Sequence, residues 1–500
     1  TLKLLDGKHS QETMRGSMCV AAAVALLALL SNAHTAAAAR SPLATSPSLP
    51  RGKTFELYSS PAKLSFGQVY NKLDEPVMLP DSVIKDFSQF DHVLTGYQAD
   101  VVEFNEQGEV LGSAPLYDCY LHHYGALLGS TEDMHKFYSL MSSSPAAGNE
   151  PGLADLGLAY GHAPGVRGMP MRHMEALFQR FSKKSRVKGG FIGGASGAEE
   201  RKTHHEFPKP YGVVIPKGVD AMMPVMHLIN TRSDVEPGTV YSKKAECLCS
   251  SDRKFDYSNG TIDGKDPIIP FQCNLELLAE GNTGCSLKTY VNGFRCCEHL
   301  WYVSEPEERR SRPEAAYFGM KFTFHYEPAA ADLIPLRSAA CCDGTGNISS
   351  SGQVEYDIPQ CKEGEECVHT LVSYHYIDAA QFSLFGRGEM TPEDRADIAA
   401  GREIDLINVV GHQHLGASPI GIKLFKDSTN ELLCESTPIF GEGAEVGNEK
   451  GYVVGMTACV FGGAGQKPPP RLRRDDVVRV ESSYNNTQPH YGVMSLFLIS

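Results

Sequence analysis

The sequence lacks an excess of positive charge and, after its first forty residues, any long hydrophobic run. Its formal net charge is −14, whereas a surface that binds nucleic-acid phosphates needs an excess of Lys and Arg. The one basic cluster, RLRR at 471–474, follows three prolines and precedes two aspartates, and we interpret it as a solvated loop rather than a binding patch or cleavage site. A membrane-spanning helix needs about 20 apolar residues, which no later segment provides. We therefore expect neither a nucleic-acid partner nor a membrane span.

The amino-terminal region has the order of a secretory signal. Arg15 precedes an apolar run over residues 19–30, and the small residues 36–39 follow. A basic start, a short apolar core and an Ala-x-Ala end are typical of a signal peptide that is removed on export. The sequence thus predicts a signal peptide at 14–39, a Pro/Ser linker at 40–52 and a secreted mature protein.

Thirteen of the fourteen cysteines lie after the predicted signal peptide, so at least one is left free or bridges to another chain. In an oxidising compartment most of them should form disulfides. Six fall between Cys247 and Cys297, which indicates a disulfide-stapled, Cys-rich insertion at 241–312. Cys247-x-Cys249 and Cys296-Cys297 are an alternative zinc set, although neither is a CxxC pair and export favours disulfides. Three sequons predict glycosylation at Asn259, Asn347 and Asn485.

The rest of the pattern is mostly β. A chain of 500 residues is too long for one core, so two or three domains are expected. Helices are predicted only at 169–183 and 391–400. Period-two alternation predicts short strands at 100–104, 109–111, 211–215, 221–231, 317–326, 368–377, 404–414, 421–425, 451–460, 477–482 and 491–499. Short strands between turn-rich loops are typical of β-sandwiches. We expect two jelly-roll-like β-sandwich domains, 53–335 with the Cys-rich insertion and 336–500.

Two histidine pairs are candidate metal ligands. His412 and His414 are two apart, and residues two apart on a strand share a face, so both can reach one ion. Cupins use such a pair with a Glu shortly afterwards, which residues 415–419 do not supply. His122 and His123 are adjacent and point to opposite faces of a regular strand. They can share an ion only at a bulge or a strand end.

Two single residues complete the candidate set. On a strand, His227 shares the face of Val225 and Ile229, and a hydrogen-bonded core histidine is the alternative interpretation. Met494 shares a face with Leu496, and taken alone it is an ordinary core residue.

Together these residues form two sets that suit copper. One set has three imidazoles and the other has two imidazoles and a thioether: His122, His123 and His227, then His412, His414 and Met494. Imidazole accepts Cu(II) and a soft sulfur ligand stabilises Cu(I), whereas zinc or non-haem iron more often recruits a carboxylate. The only carboxylate embedded in these segments is Asp118. The sequence therefore favours copper, with two ions per chain.

Several motifs resemble those of the stress up-regulated Nod nineteen family, and the likeness spans nearly the whole predicted mature chain. The more specific motifs lie towards the C-terminus: VEYD at 354–357, GHQH at 411–414, GEGAEVGNEKGY at 441–452, YNNTQ at 484–488 and HYGVM at 490–494. Others lie before them: LHHY at 121–124, ERKT at 200–203, MHLI at 226–229 and RCC at 295–297. The biochemical activity of this family is poorly defined, so membership alone leaves the function open.

The order of the candidate ligands is also similar to that in the copper type II ascorbate-dependent monooxygenases, which include peptidylglycine and dopamine hydroxylating enzymes. This resemblance implies two β-sandwich domains, each holding one copper across a solvent-filled cleft. It implies an electron-transfer copper on His122, His123 and His227. The dioxygen-binding copper would lie on the catalytic residues His412, His414 and Met494. Ascorbate would serve as the reductant, and a C–H bond of the substrate would be hydroxylated.

The substrate anchor of the peptide-hydroxylating relatives is missing. Their Arg and Tyr, which hold the substrate carboxylate, are replaced here by Val410 and Leu498, and a Gln of those enzymes is replaced by Val225. The expected function is therefore a secreted copper-binding protein that hydroxylates a small non-peptide substrate. The alternatives are a non-catalytic extracellular copper-binding protein and a structural stress-response glycoprotein.

Overall fold

Residues 50–500 form one compact unit in the computed structural model of the chain. The structure describes residues 52–142, 189–193, 197–203, 205–232, 241–247, 250–253, 255–256, 261–262, 297, 299–337, 339–342, 344, 355–376, 403–414, 419–473 and 476–500. The predicted signal peptide, all but the last residue of the predicted linker, both predicted helices and the sequons at Asn259 and Asn347 lie outside these ranges.

The strands before residue 336 form two main sheets. They are β1 Lys53–Tyr58, β2 Ala62–Leu64, β3 Val69–Leu73, β4 Val77–Met78, β5 His92–Phe104, β6 Val110–Ser113, β7 Cys119–Gly129, β8 Gly190–Gly193, β9 His205–Glu206, β10 Tyr211–Ile215, β11 Ala221–Asn230, β12 Phe255–Asp256, β13 Thr261–Ile262, β14 Ala316–Pro328 and β15 Ile334–Pro335. One sheet has the order β1-β14-β5-β10-β15, with β2 on β14 and with β6 and β9 on β5. The other has the order β3-β11-β7-β8, with β4 on β11. In the Cys-rich insertion, β12 and β13 pair with each other.

The strands after residue 336 form two further sheets and two short ladders. They are β16 Ala339–Cys341, β17 Glu355–Ile358, β18 Val368–Tyr376, β19 Ile404–Asp405, β20 Asn408–Gln413, β21 Pro419–Lys426, β22 Glu431–Ser436, β23 Pro438–Phe440, β24 Val453–Met456, β25 Ala458–Val460, β26 Arg471–Leu472, β27 Val477–Asn485 and β28 His490–Ile499. The sheets have the orders β16-β28-β20-β25, with β17 on β28, and β18-β27-β21-β22, while β19 pairs with β26 and β23 with β24. Each described sheet draws its strands from one side of residue 336. A domain boundary there stays a prediction.

The described helices are short. The α-helices are α1 Asp81–Phe87, α2 Thr131–Ser142 and α3 Pro306–Ser311, and 3₁₀ turns lie at Ala198–Arg201, Lys243–Glu246 and Asp427–Thr429. α2 is capped by Ser130, whose Oγ accepts from Asp133 N at 3.2 Å. α3 begins with Pro306 and has a capping box between Glu305 and Glu308. Within the residues described, no helix is long and apolar enough to cross a membrane.

Alternating burial is clear in some of the strands. In β27 every second residue is buried, among them Val480 and Ser482, so one face of the strand packs on the core. In contrast, β11 is buried along its whole length, because it lies between β3 and β7 and both of its faces are covered. This places His227, in the middle of β11, inside the protein.

Disulfide bonds and a mostly β fold, both predicted, are confirmed. Bridges with both cysteines in the described residues join Cys247 to Cys297, Cys361 to Cys367 and Cys434 to Cys459. Across the described ranges, Cys119 on β7 has a free thiol, in keeping with the odd number of cysteines that follow the predicted signal peptide. The thiol is buried, and burial raises the pKa of Cys119 above its usual range.

Candidate metal centre

The two adjacent histidines lie at a β-bulge. On β11, His227 pairs with His123 and Leu228 pairs with Leu121, so His122 is the extra residue on β7. A bulge of this kind re-aims a side chain. The ring centroids of His122 and His123 are 4.5 Å apart, and His122 stacks on His227 at 4.1 Å. The bulge thus brings both adjacent imidazoles and His227 to one place.

β20 brings a second histidine pair to the same place. His412 lies near the end of β20 and His414 directly follows it, with 5.1 Å between their ring centroids. His414 lies 4.4 Å from His122 and 5.2 Å from His123, and His412 lies 5.2 Å from His123. We call the five side chains the histidine cluster: His122, His123, His227, His412 and His414. All five are buried.

Two of these imidazoles have their tautomer fixed by an acceptor. His412 Nδ1 donates to Glu199 Oε1 at 2.5 Å, and His414 Nδ1 donates to the backbone oxygen of Gly492 at 3.0 Å. An imidazole that donates from Nδ1 carries its lone pair on Nε2. A hydrogen bond of this kind orients metal-binding histidines and raises their basicity. In the described part of the chain, His412 Nε2 is buried and has no hydrogen-bond partner, as expected of a nitrogen that is able to bind a metal ion.

The arrangement suits a metal ion bound by nitrogen. The ligand atoms of His122, His123 and His414 all lie within 4.8 Å of one another. These residues come from β7 and from the end of β20, so the centre joins strands on both sides of residue 336. His227 and His412 flank this group. Each could bind the ion as a further ligand or hold the other imidazoles in position.

Met494 and Asp118 differ in their position relative to the histidine cluster. In the pairing of β20 with β28, His412 lies opposite Leu496, so Met494, two residues away and fully buried, lies on the face of the sheet that carries His412. Asp118 instead forms an ion pair with Arg232, with 3.7 Å between Oδ2 and Nε. Among the described residues, the carboxylate that contacts the histidine cluster is instead Glu199, which binds Nδ1 of His412 and leaves Nε2 of that ring free of it.

The expected separation into two ligand sets differs from the observed geometry. The sequence predicts one set on His122, His123 and His227 and another on His412, His414 and Met494, and the resemblance to the copper monooxygenases implies a cleft between them. The structure places these five imidazoles in a single cluster, because β7 and the end of β20 face each other. The order of the histidines along the chain carries no information on that contact.

A disulfide bridge lies against the cluster. The sulfur atoms of Cys247 and Cys297 and ligand atoms of His122 and His227 all lie within 4.8 Å of one another. Cys247 follows Glu246, whose carboxylate interacts with His490 Nδ1 at 3.0 Å and accepts from Tyr491 N at 3.2 Å. Burial raises the pKa of Glu246 to about 7 and lowers the pKa of His490 to about 4. These contacts fix the Cys-rich insertion to β28.

Comparison with known proteins identifies the family. A family model described as Stress up-regulated Nod 19 matches residues 191–500, more than half of the chain. The chain belongs to the Stress up-regulated Nod 19 family. The match includes His227, His412 and His414 and begins after His122 and His123. A comparison with curated proteins gives no match.

Two Nod 19 segments hold Glu199 in place. In the ERKT segment, Lys202 N donates to Val454 O at 2.6 Å, and Thr203 Oγ1 accepts from Met456 N at 2.8 Å. Arg201 forms a buried ion pair with Glu449 at 2.7 Å, and Glu449 belongs to the GEGAEVGNEKGY segment. These bonds fix the 3₁₀ turn Ala198–Arg201 and the two residues after it to β24 and to the loop before it. That turn places the carboxylate of Glu199 against Nδ1 of His412.

Sequence reasoning missed Glu199 and the position of the Cys247–Cys297 bridge. Glu199 is 213 residues from His412, and the only available signal is its place directly before the ERKT segment. The RCC segment likewise includes Cys297, but nothing in its spacing shows that it lies beside His122.

Proposed function

We propose that this Nod 19 family protein is an extracellular copper-binding protein whose metal centre is the histidine cluster. The observation that carries the proposal is the approach of the ligand atoms of His122, His123 and His414 to within 4.8 Å of one another. The hydrogen bonds from Nδ1 of His412 and His414 support it, because they prepare Nε2 of each ring for a metal.

The donor set favours copper over other metals. Imidazole suits zinc, copper, iron and nickel, and among divalent ions the affinity of a given site generally peaks at Cu²⁺. Zinc and non-haem iron sites often include a carboxylate ligand, but Glu199 is engaged with Nδ1 of His412. Bound copper would supply one-electron redox chemistry, and Met494, on the face that carries His412, would favour its reduced state.

Disulfides and sequence support an extracellular location. The bridges Cys247–Cys297, Cys361–Cys367 and Cys434–Cys459 are typical of an oxidising compartment. The sequon at Asn485 lies at the end of β27, where Asn485 Oδ1 accepts from Thr487 N at 3.0 Å. We expect this asparagine to be glycosylated on export, together with Asn259 and Asn347.

Metal analysis of the purified protein tests the proposal. Protein with its disulfides intact, reconstituted with copper in the presence of ascorbate, should retain copper after desalting, and His414→Ala should lose most of it. His325→Ala is the matched control, since His325 lies on β14 and bonds to Thr54 Oγ1. Copper-free wild-type protein, or copper retention in His414→Ala equal to that of the wild type, would overturn the proposal and favour a structural glycoprotein.

Monooxygenase activity is the second candidate, because the order of the candidate ligands resembles that of the copper monooxygenases, and the surroundings of His412 bear on its substrate. Val410 and Leu498 are direct partners across β20 and β28, and both lie on the face of the sheet that carries His412. They replace the Arg and Tyr of peptide-hydroxylating enzymes. Hydrogen bonds to charged groups contribute roughly 1.5–3 kcal/mol each, so a glycine-extended peptide should be a poor substrate. An uncharged aromatic compound fits better.

Oxygen consumption separates catalysis from simple binding. Copper-loaded protein with ascorbate should consume dioxygen faster when an uncharged aromatic substrate is added, and little faster with a glycine-extended peptide. Efficient turnover of the peptide would contradict the proposed substrate class. Retained copper without turnover of either compound would leave the non-catalytic copper protein as the function.

A further inference from the structure

The Cys247–Cys297 bridge has the surroundings of a metal site. Both cysteines are fully buried, and so are His122 and His227, whose ligand atoms lie within 4.8 Å of the two sulfur atoms. Two thiolates and two imidazoles are a common tetrahedral ligand set for Zn²⁺, and thiolate also favours Cu⁺. In the oxidised protein the disulfide occupies the two sulfur positions.

Contacts other than the bridge hold each cysteine in position. On one side, Cys297 O accepts from Asn71 Nδ2 at 3.2 Å, and Asn71 is the β3 residue that pairs with His227. On the other side, Glu246, next to Cys247, is bound to Tyr491 N. Reduction of the bridge would therefore leave both sulfur atoms close to the two histidines.

We propose that Cys247, Cys297, His122 and His227 form a redox-gated binding site for a d¹⁰ metal ion, Zn²⁺ or Cu⁺. An external dithiol reduces the bridge by thiol–disulfide exchange: the S–S bond between Cys247 and Cys297 breaks, the dithiol becomes a disulfide, and its two protons pass to the cysteines. The thiols then lose their protons as they bind the ion.

This site competes with the proposed copper centre for one residue. His122 belongs to both ligand groups, so an ion bound by the cysteines would withdraw His122 from His123 and His414. Reduction of the bridge would then weaken binding at the histidine cluster. The cysteine site itself does not need His123 or His414, so it can be tested independently of the copper proposal.

Cobalt binding to the full chain tests the inference, because Co²⁺ bound by thiolate has an intense near-ultraviolet absorption. Protein treated with a dithiol and desalted without oxygen should bind Co²⁺ with this absorption, whereas untreated protein should not. His325→Ala should keep the signal, since His325 bonds to Thr54 and lies outside both candidate ligand groups. His227→Ala should lose it. Absence of the thiolate absorption in reduced wild-type protein, or an equal signal in His227→Ala, would overturn the proposal.

Alkylation of the wild-type protein gives a second test that needs no variant. After reduction, Zn²⁺ should slow the alkylation of Cys247 and Cys297 by iodoacetamide. Cys434 and Cys459 are the internal control, because they belong to neither candidate ligand group among the described residues. Equal alkylation of Cys247 and Cys297 with and without Zn²⁺ would contradict the site.

Discussion

At the residue scale, the contact that most constrains the metal centre is that between Glu199 and His412. Both side chains are buried, and the carboxylate accepts from Nδ1 at 2.5 Å. Glu199 is itself held by Gly197 N, which donates to Oε1 at 3.1 Å. A buried carboxylate in this place favours the tautomer with its lone pair on Nε2. Glu199 is therefore a positioning residue.

We predict that Glu199→Gln weakens copper binding by about 10–100-fold, the usual cost of losing such a support. A glutamine amide can donate to Nδ1 and stabilise the wrong tautomer. Competitive titration with a chelator measures the affinity. Glu431→Gln, the same change at an exposed position on β22, should bind copper as the wild type does. An unchanged affinity in Glu199→Gln would mean that Nε2 of His412 is not a ligand.

The sequence identifies the histidines that the fold brings together better than it identifies the residues that support them. Residue spacing shows that His412 and His414 share a face, and it shows that His122 and His123 need a bulge. The bulge depends on the register between β7 and β11, which no local pattern encodes. Glu199 meets His412 only after distant segments have packed.

At the element scale, the 3₁₀ turn Ala198–Arg201 is joined to the loop before β24 by a buried ion pair. Arg201 Nη1 lies 2.7 Å from Glu449 Oε1, and Arg201 Nη2 lies 3.0 Å from Asp100 Oδ1. Glu449 Oε1 also accepts from Leu116 N at 3.2 Å and Gly447 N at 3.0 Å. One carboxylate thus joins three segments that are far apart in the sequence.

We predict that Glu449→Ala lowers the free energy of unfolding by about 3–5 kcal/mol, because it leaves the buried Arg201 partly uncompensated. The control is Glu435→Ala. Glu435 pairs with Lys423 at 3.3 Å, but both side chains are 45% exposed, so the change should be at most about 1 kcal/mol. Urea denaturation measures both values. Similar losses for the two variants would show that the buried pair has no special role.

The strand bounds show where local sequence patterns are enough to predict an element. β10 has the predicted bounds, and β14 and β28 differ from prediction by no more than two residues at either end. The sequence pattern predicts one strand over residues 404–414, but β19 ends at Asp405 and pairs with β26, whereas β20 begins at Asn408 and pairs with β28. Apolar residues continue through Leu406 and Ile407, so the exchange of pairing partners is not visible as a break in the apolar pattern.

At the scale of the whole molecule, the histidine cluster joins the parts of the chain before and after residue 336. His122, His123 and His227 come from β7 and β11, and His412 and His414 come from β20 and its end. The buried pair of Arg201 and Glu449 joins the same two parts. A metal ion shared between these strands would act as a further link, because neither part could unfold without releasing it.

We predict that copper stabilises both parts of the chain together. A ligand that binds only the folded state at a hundred times its Kd adds about 2.7 kcal/mol to the free energy of unfolding. Hydrogen exchange read by mass spectrometry should therefore slow in β5 and in β27, one strand from each part, when copper is added. His414→Ala should abolish the effect in both strands, and His325→Ala should preserve it. Slower exchange in only one of the two strands would show that the ion is bound within one part, and would contradict a centre shared by β7 and β20.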